Sequence, residues 1–437
     1  MSNLRVLLLL AFLLSLAARP ISTLQCSSAY AASNVVRVPS DYPTIQQAVD
    51  AALPGSTVLV SSGTYHERVA VNKTLSLIGE DRTGTVIDAD GGADAFKVTA
   101  DSVLIDGFTI QNGAHGIYLD HCNNCTLSDN VISHNYYFGI LLNHSNGTAV
   151  EGNIVSSSGG HVPGMTWGAN LLLTHSCNDN ISDNVLASSF LAGIDASYSD
   201  NNSITRNVIE DNFAQGIVLE SSSNGNVIHH NSFINNCPGG PQAGQIYSLN
   251  SWDDGSVGNY WDDYVGLDDG SGGRVAGDGV GDTSLPEWGI DYYPLTCPPT
   301  PIQVLVGNTA YPVALVSNLT VSTFRFAAGY PRITFNVVGP AGAGGHFNLT
   351  VPAALLRGDP WNVLMNDANV NPQSVITSNE TCTSIYVAYN QSGAYGVQII
   401  GTWVIPEFPA TSMLLLAMML ALASALTRTH KAHPPKK

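Results

Sequence analysis

The sequence predicts an all-β chain: a right-handed parallel β-helix, then an antiparallel β-sandwich, then a C-terminal transmembrane helix. Three observations carry that reading. Segments beginning at Gly116, Gly139, Asn170, Gly193 and Gly216 repeat at intervals of 23, 31, 23 and 23 residues. After Cys297-Pro-Pro the pattern changes to longer alternating strands split by Gly, Pro and Asn. Each end of the chain carries an apolar run beside basic residues.

The repeat keeps its phase. Ile117, Ile140, Leu171, Ile194 and Ile217 form one apolar column, and Leu119, Leu142, Leu173, Ala196 and Leu219 a second. Leu127, Val150, Ile181, Ile204 and Val227 form a third, while Asn130, Asn153, Asn184 and Asn207 share a polar position. Short alternating strands between Asn and Ser turns suit coils that cannot bury their inner faces alone. Stacked coils set like residue on like residue, and an Asn column can then hydrogen-bond as a ladder. The L-x-x-L-x-L-x-x-N pattern of a leucine-rich horseshoe is absent. Solenoid ends need caps. Thr44–Leu53, with Ile45, Ala48, Val49 and Ala52 on one face, reads as a helix covering the first coil. Strands are expected at Val58–Val60, Val69–Val71, Leu75–Ile78, Val86–Asp88, Phe96–Val98 and Val103–Ile105.

Residues 1–31 read as a secretory signal: Arg5, an apolar run from Val6 to Ala18, and Ala29-Tyr30-Ala31 as cleavage site. The β-helix is placed at 35–297 and the sandwich at 301–403. Residues 404–437 hold an apolar run, Ala410–Leu426, followed by Arg428, Lys431, Lys436 and Lys437, which suits a membrane stop. The net charge of −18 argues against nucleic acid and suits sugars or cations. Ten N-x-[ST] sites agree with export. Six cysteines follow the signal, and sequence cannot choose among their pairings.

The front segment, YPTIQQAVDAAL with GTYHERVAV and LSLIGEDRTGTVI, resembles the opening of pectin methylesterases without that family's catalytic motifs. Val35–Leu295 resembles more closely the NosD-like β-helix family, the carbohydrate-binding and sugar-hydrolase (CASH) repeat class, whose fold is pectin-lyase-like. GNYWDDY (Gly258–Tyr264), GDGVGDT (Gly277–Thr283) and DYYPL (Asp291–Leu295) carry that resemblance. The family name implies copper handling. VIPEFP (Val404–Pro409) before the apolar run resembles the PEF-type sorting tail of archaeal surface proteins.

Three constellations stand out. Asp268, Asp269, Asp278 and Asp282, separated by glycines, could wrap a Ca²⁺ ion, which takes six to eight oxygens, or could form a plain acidic turn. His121, His144 and His175 occupy one column, with Tyr198 next. They could share copper or zinc, with His161 and Met165 of the insertion leaning over them, or they could be solvent-facing turn residues. Tyr118, Asp195, Tyr198 and Trp167 offer rings and polar groups to a sugar. Cys122 aligns with Ser145, Ser176, Ser199 and Ser222 in a small column typical of inward turn positions, so Cys122-x-x-Cys125 reads as buried thiols or a disulfide. The functional expectation is an exported, cell-surface-anchored β-helix that binds a glycan or surface-layer polysaccharide, with the sandwich as a spacer or adhesive module. The alternatives are a polysaccharide lyase or hydrolase acting on uronic-acid polymers, and a NosD-like periplasmic copper-binding protein.

Overall fold

The computed structural model describes residues 35–159, 168–307, 309–327, 330–339, 344–370, 374–389 and 393–404. Three parallel sheets wind around a common axis. The side sheet has nine strands, from Val35–Val38 through Thr126–Ser128 to Val227–His229. The docked sheet also has nine, from Gly63–Tyr65 through Val131–Ser133 to Tyr260–Trp261. The open sheet has eight, from Val69–Val71 through His115–Asp120 to Ala243–Gln245. The helix Ile45–Ala51 plugs the front. Thr44 caps it, accepting from Gln47 N, and Ile45, Ala48 and Val49 are buried beneath it.

Pairing follows the repeat. Ile117, Ile140, Leu171, Ile194 and Ile217 pair in register in one interior file. Each is fully buried, and each such burial contributes about 2–3 kcal/mol. The asparagine column is a ladder. The Oδ1 of Asn153 accepts from the backbone N and the Nδ2 of Asn130, both at 3.0 Å. Asn184, Asn207, Asn231 and Asn259 repeat the arrangement above. Each Nδ2 also donates to a carbonyl of the coil below, as Asn184 does to Val150 O at 2.7 Å. A buried turn thereby satisfies its own backbone.

Two register assignments made from sequence are one residue off. Val227 is exposed and pairs with Ser203, while Ile228 is the buried residue opposite Ile204. Ser223, not Ser222, continues the column of Cys122, Ser145, Ser176 and Ser199, with its Oγ accepting from Ser199 N at 3.2 Å. The cause is one extra residue in that coil's turn, where Ser221 and Ser222 both take positive φ. Strands that went unforeseen include Val35–Val38, which starts the side sheet, and Gly63–Tyr65, which starts the docked sheet.

The sandwich is two antiparallel sheets of five strands. It does not stand off as a spacer. It packs along the β-helix, so Val131, Ile154, Val185, Val208, Ile234 and Tyr260 share one apolar cluster with Ile302, Val304, Phe324 and the rest of the sandwich core. Polar pins fix the contact. Arg325 reaches Asp262 Oδ2 and Asn235 Oδ1, both at 2.7 Å, and Thr320 Oγ1 donates to Gly266 O at 2.6 Å. Among the described residues no helix is long and apolar enough to cross a membrane. The signal (1–31), VIPEFP beyond Val404 and the apolar run 410–426 lie outside the described residues.

Candidate functional site

The acidic closure shows what its carboxylates do. Asp291 is fully buried and ends the asparagine ladder: its Oδ2 accepts from Asn259 N and Trp261 Nε1, both at 2.8 Å. Gly258 lies so close to that carboxylate that no Cβ would fit. Trp261 stacks on Phe233 at 4.2 Å, and Tyr264 OH donates to Thr283 O at 2.7 Å. GNYWDDY and DYYPL are thus the lid of the last coil. Burial raises Asp291 to about 6 and Glu287 to about 7.

The four carboxylates read as calcium ligands are engaged by the glycine turn itself. Asp268 accepts from Gly277 N and Gly279 N, Asp269 from Ser271 N, Asp278 from Val280 N and Asp282 from Gly270 N. These amides supply the counter-dipoles of an acidic turn, one of the two readings that the sequence left open. The four do not converge as a set. Arg274 lies over the Tyr293 ring instead of among them.

The open sheet turns a polar face outward. Its registers form a column of Lys97, Tyr118, Leu141, Leu172, Asp195 and Val218. Beside it runs Asp120, Asn143, Thr174, Ser197 and Glu220. Asn143 Nδ2 donates to Tyr118 OH at 3.3 Å and to Asp120 Oδ1 at 3.1 Å, and Lys97 sits 4.9 Å over the Tyr118 ring. Asp195 Oδ1 is buried without a hydrogen-bond partner. Burial first, and then the charge of Glu220, raise Asp195 to about 6.

Rings flank this face at both ends of its strands. At the C-terminal end, His121, His144, His175 and Tyr198 stack with centroids 4.6, 4.5 and 4.8 Å apart and planes within 16° of parallel. All four take the left-handed conformation, with φ between 51° and 56°. At the other end Phe190 and Phe213 stack at 5.9 Å, and His115, held by Asp94, stacks on Phe138 at 5.5 Å. The sequence reading singled out Tyr118, Asp195 and Tyr198, and the structure brings them onto or beside one face. Trp167, with His161 and Met165, lies outside the described residues.

The histidine column meets the copper expectation poorly. A ring nitrogen offers its lone pair in the ring plane, so one ion cannot lie in two parallel planes ~4.5 Å apart. Each Nδ1 is also engaged by the preceding side chain: Asp120 at 2.7 Å, Asn143 at 3.0 Å and Thr174 at 3.1 Å. Cys122 and Cys125 are buried free thiols facing carbonyls, Cys122 toward Val98 O and Cys125 toward Ala100 O. Among the described residues Cys177, Cys237, Cys297 and Cys382 are free as well.

Two clusters went unread in the sequence. His229, His230 and Asp254 bring ligand atoms within 4.8 Å of one another, as do His66, Asp88 and Asp90. The available signal was His229-His230 at a strand end with Asp253-Asp254 in the following loop, but no spacing rule joins them. Burial and the adjacent His230 lower His229, whereas hydrogen bonds from Ser256 and Val257 depress Asp254 to about 2.

Fold and face together define a capped parallel β-helix with one docked flank and one open, ring-bordered polar flank. Residues 49–266, most of the β-helix, match the family described as periplasmic copper-binding protein (NosD). A 98-residue stretch is 31% identical to a cell surface glycoprotein of Methanothermus fervidus; it covers 22% of this chain and only 16% of that protein. Among solved structures, DFA-IIIase from Arthrobacter chlorophenolicus A6 in complex with GF2 aligns at 14% identity and TM-score 0.39, over 52% of this chain and 80% of that one. The A-module of the Azotobacter vinelandii mannuronan C-5 epimerase AlgE6 aligns at 16% and 0.31, over 50% and 81%. Neither overlap carries chemistry to this chain.

Proposed function

We propose that this protein is exported to the cell surface and binds glycans on the open sheet. The observation that carries the reading is the face itself: a polar strip of Tyr118, Asp120, Asn143, Thr174, Asp195, Ser197 and Glu220, bordered at both ends by stacked rings. Sugar rings stack on aromatic faces, and their hydroxyls pair with carboxylates and amides. Repeating units would meet a repeating protein. Asp195 stands in the outward column between Leu172 and Val218, one carboxylate among the acceptors that the face offers to sugar hydroxyls. The two columns hold Lys97 as their one cation, so neutral glycans suit the face better than uronates. An eliminase acting on a uronate needs a cation beside its base, and none stands next to Asp195 in the column. The relative in Methanothermus, named a cell surface glycoprotein, supports the location.

The test is a glycan array followed by titration calorimetry with neutral and uronate polysaccharides, with absorbance monitored for unsaturated products. Binding to neutral glycans without turnover is expected. Tyr198→Ala or Asp195→Asn should weaken it about tenfold at unchanged circular dichroism. Binding that ignores both substitutions would refute the assignment of the face, and an absorbance rise would move the protein to the lyases.

A further inference from the structure

We infer that His229, His230 and Asp254 form a site for a single divalent transition-metal ion of the zinc and copper(II) type. The inference does not rest on the glycan reading, because the cluster lies at the last turn of the side sheet and not in the columns of the open sheet.

The fold builds the cluster from two separate pieces. His229 ends the strand Val227–His229, where Ile228 points inward and His229 outward. His230 follows in the left-handed conformation at φ 59°. That kink turns its ring onto the same side as His229, so the two Nδ1 atoms stand 2.6 Å apart with rings crossed at 73°. The loop carrying Asp254 is tied to the same strand: Ile228 N donates to Ser251 O at 2.8 Å, and His230 N donates to Gly258 O at 2.6 Å. Within the loop, Asp254 Oδ1 takes three donors, Ser256 N at 2.9 Å, Ser256 Oγ at 2.7 Å and Val257 N at 2.8 Å. That leaves Oδ2 with no hydrogen bond among the described residues. Arg206, one coil below His230, does not compete for it, being held by both oxygens of Asp183 at 2.9 and 2.7 Å.

The donor set selects the ion. Two imidazoles and one carboxylate suit zinc or copper(II), whereas Ca²⁺ asks for six to eight oxygens. Crossed rings are what the histidine column lacks: with their planes at 73°, both nitrogens can be turned toward one ion. The present Nδ1 contact fits one N–H donating to the other nitrogen. A tetrahedral ion with ~2.05 Å bonds sets its ligands about 3.3 Å apart. Small ring rotations would open that gap, and the shared proton would move to the donor ring's Nε2 with no net loss. The cluster at His66 is a weaker candidate. Its Nδ1 is 2.9 Å from Asp90, and Asp88 is already engaged by Gln111 and Asn112.

The experiment titrates the full-length protein with Zn²⁺ by calorimetry and with Cu²⁺ by electron paramagnetic resonance. One equivalent should bind to wild type, Ca²⁺ should not displace it, and the copper spectrum should carry superhyperfine splitting from two nitrogens. His229→Ala/His230→Ala should lose at least ~100-fold in affinity, and Asp254→Asn, which keeps the turn's acceptor, at least ~10-fold. The triple variant His121→Ala/His144→Ala/His175→Ala should bind as wild type. Equal binding by wild type and both site variants, all with native circular dichroism, would overturn the inference. So would binding lost only in the triple variant. Should the double histidine variant fail to fold, Asp254→Asn and the nitrogen count decide alone.

Discussion

The docked and open sheets are wound from the same coils, yet their outward columns differ: one is wholly apolar and the other mixes apolar with polar residues. On the docked sheet the column reads Val131, Ile154, Val185 and Val208, all buried under the sandwich. On the open sheet it reads Tyr118, Leu141, Leu172 and Asp195, beside Asp120, Asn143, Thr174 and Ser197. Interior packing is the same for both, so the interior does not decide which flank is functional. The covering does: the apolar outward column lies under the sandwich, and the mixed column of Tyr118, Leu141, Leu172 and Asp195 is left open.

The sharpest way to break the comparison is to place one charge on each flank. Val185→Asp puts an unpaired carboxylate beneath the sandwich, where burial costs several kcal/mol. Urea unfolding should lose about 4 kcal/mol, and limited proteolysis should release the sandwich. Leu172→Asp, at the matching outward position of the open sheet, should cost under about 1 kcal/mol. Equal costs would mean that the docking strip does not hold the two parts together.

Next in size is the ladder that both flanks share. Asn184→Ala removes the acceptor for Asn153 N and the donor to Val150 O. Two buried backbone groups lose partners at once, so about 3 kcal/mol is expected. A loss below 1 kcal/mol in chemical denaturation would show that water replaces the amide.

A parallel column contains a flaw that can be repaired. Asp179 sits in line with Asn202, Asn226 and Asn250, but its Oδ2 is buried and unpaired, and burial raises it to about 7. The folded state therefore keeps a proton that the unfolded chain gives up near 4. The stability linked to that proton is present below about 4 and is lost as pH rises through 7. Asp179→Asn removes the titration and supplies an Nδ2 donor one coil below the equivalent donor of Asn202, which reaches Ser176 O. It should stabilise by about 2 kcal/mol at pH 8 and by much less at pH 4. Thermal melts at the two pH values measure this, and an equal shift at both would contradict the buried-charge account.

Much of this was legible because a solenoid writes its contacts into sequence spacing. Ile117 through Ile217 and Asn130 through Asn207 could be aligned because a neighbour in space is a neighbour one coil away. Legibility failed where the period changed: the extra serine at Ser221–Ser222 shifted Val227 outward, and no residue pattern announced the slip. It also failed where contacts left the period. Asp254 meets His229 through an irregular loop, Arg325 meets Asp262 across 63 residues, and the carboxylates of the closure accept from backbone amides of an irregular glycine turn. The apolar column Val131, Ile154, Val185 and Val208 was visible in sequence, but on a three-sided coil an outward Val looks like an inward one until the register is known.

The smallest expected effect sharpens the comparison most, because it separates a repeat that holds the fold from one that only accompanies it. The stacked file of His121, His144, His175 and Tyr198 repeats at the same coil spacing as the asparagine ladder, but it lies in solvent, with Tyr198 54% exposed. Exposed ring stacking contributes about 0.5 kcal/mol per pair. The left-handed backbone at His144 slightly favours residues with a short polar side chain. His144→Asn should therefore change stability by less than about 0.5 kcal/mol, and His144→Ala should cost about 1 kcal/mol, part of it backbone strain. If instead His144→Asn destabilised the fold as much as Asn184→Ala, the rings would be part of the scaffold and that border of the open sheet would not be free to serve a ligand. If it left stability untouched and weakened glycan binding, the outer file would belong to recognition and the inner one to folding.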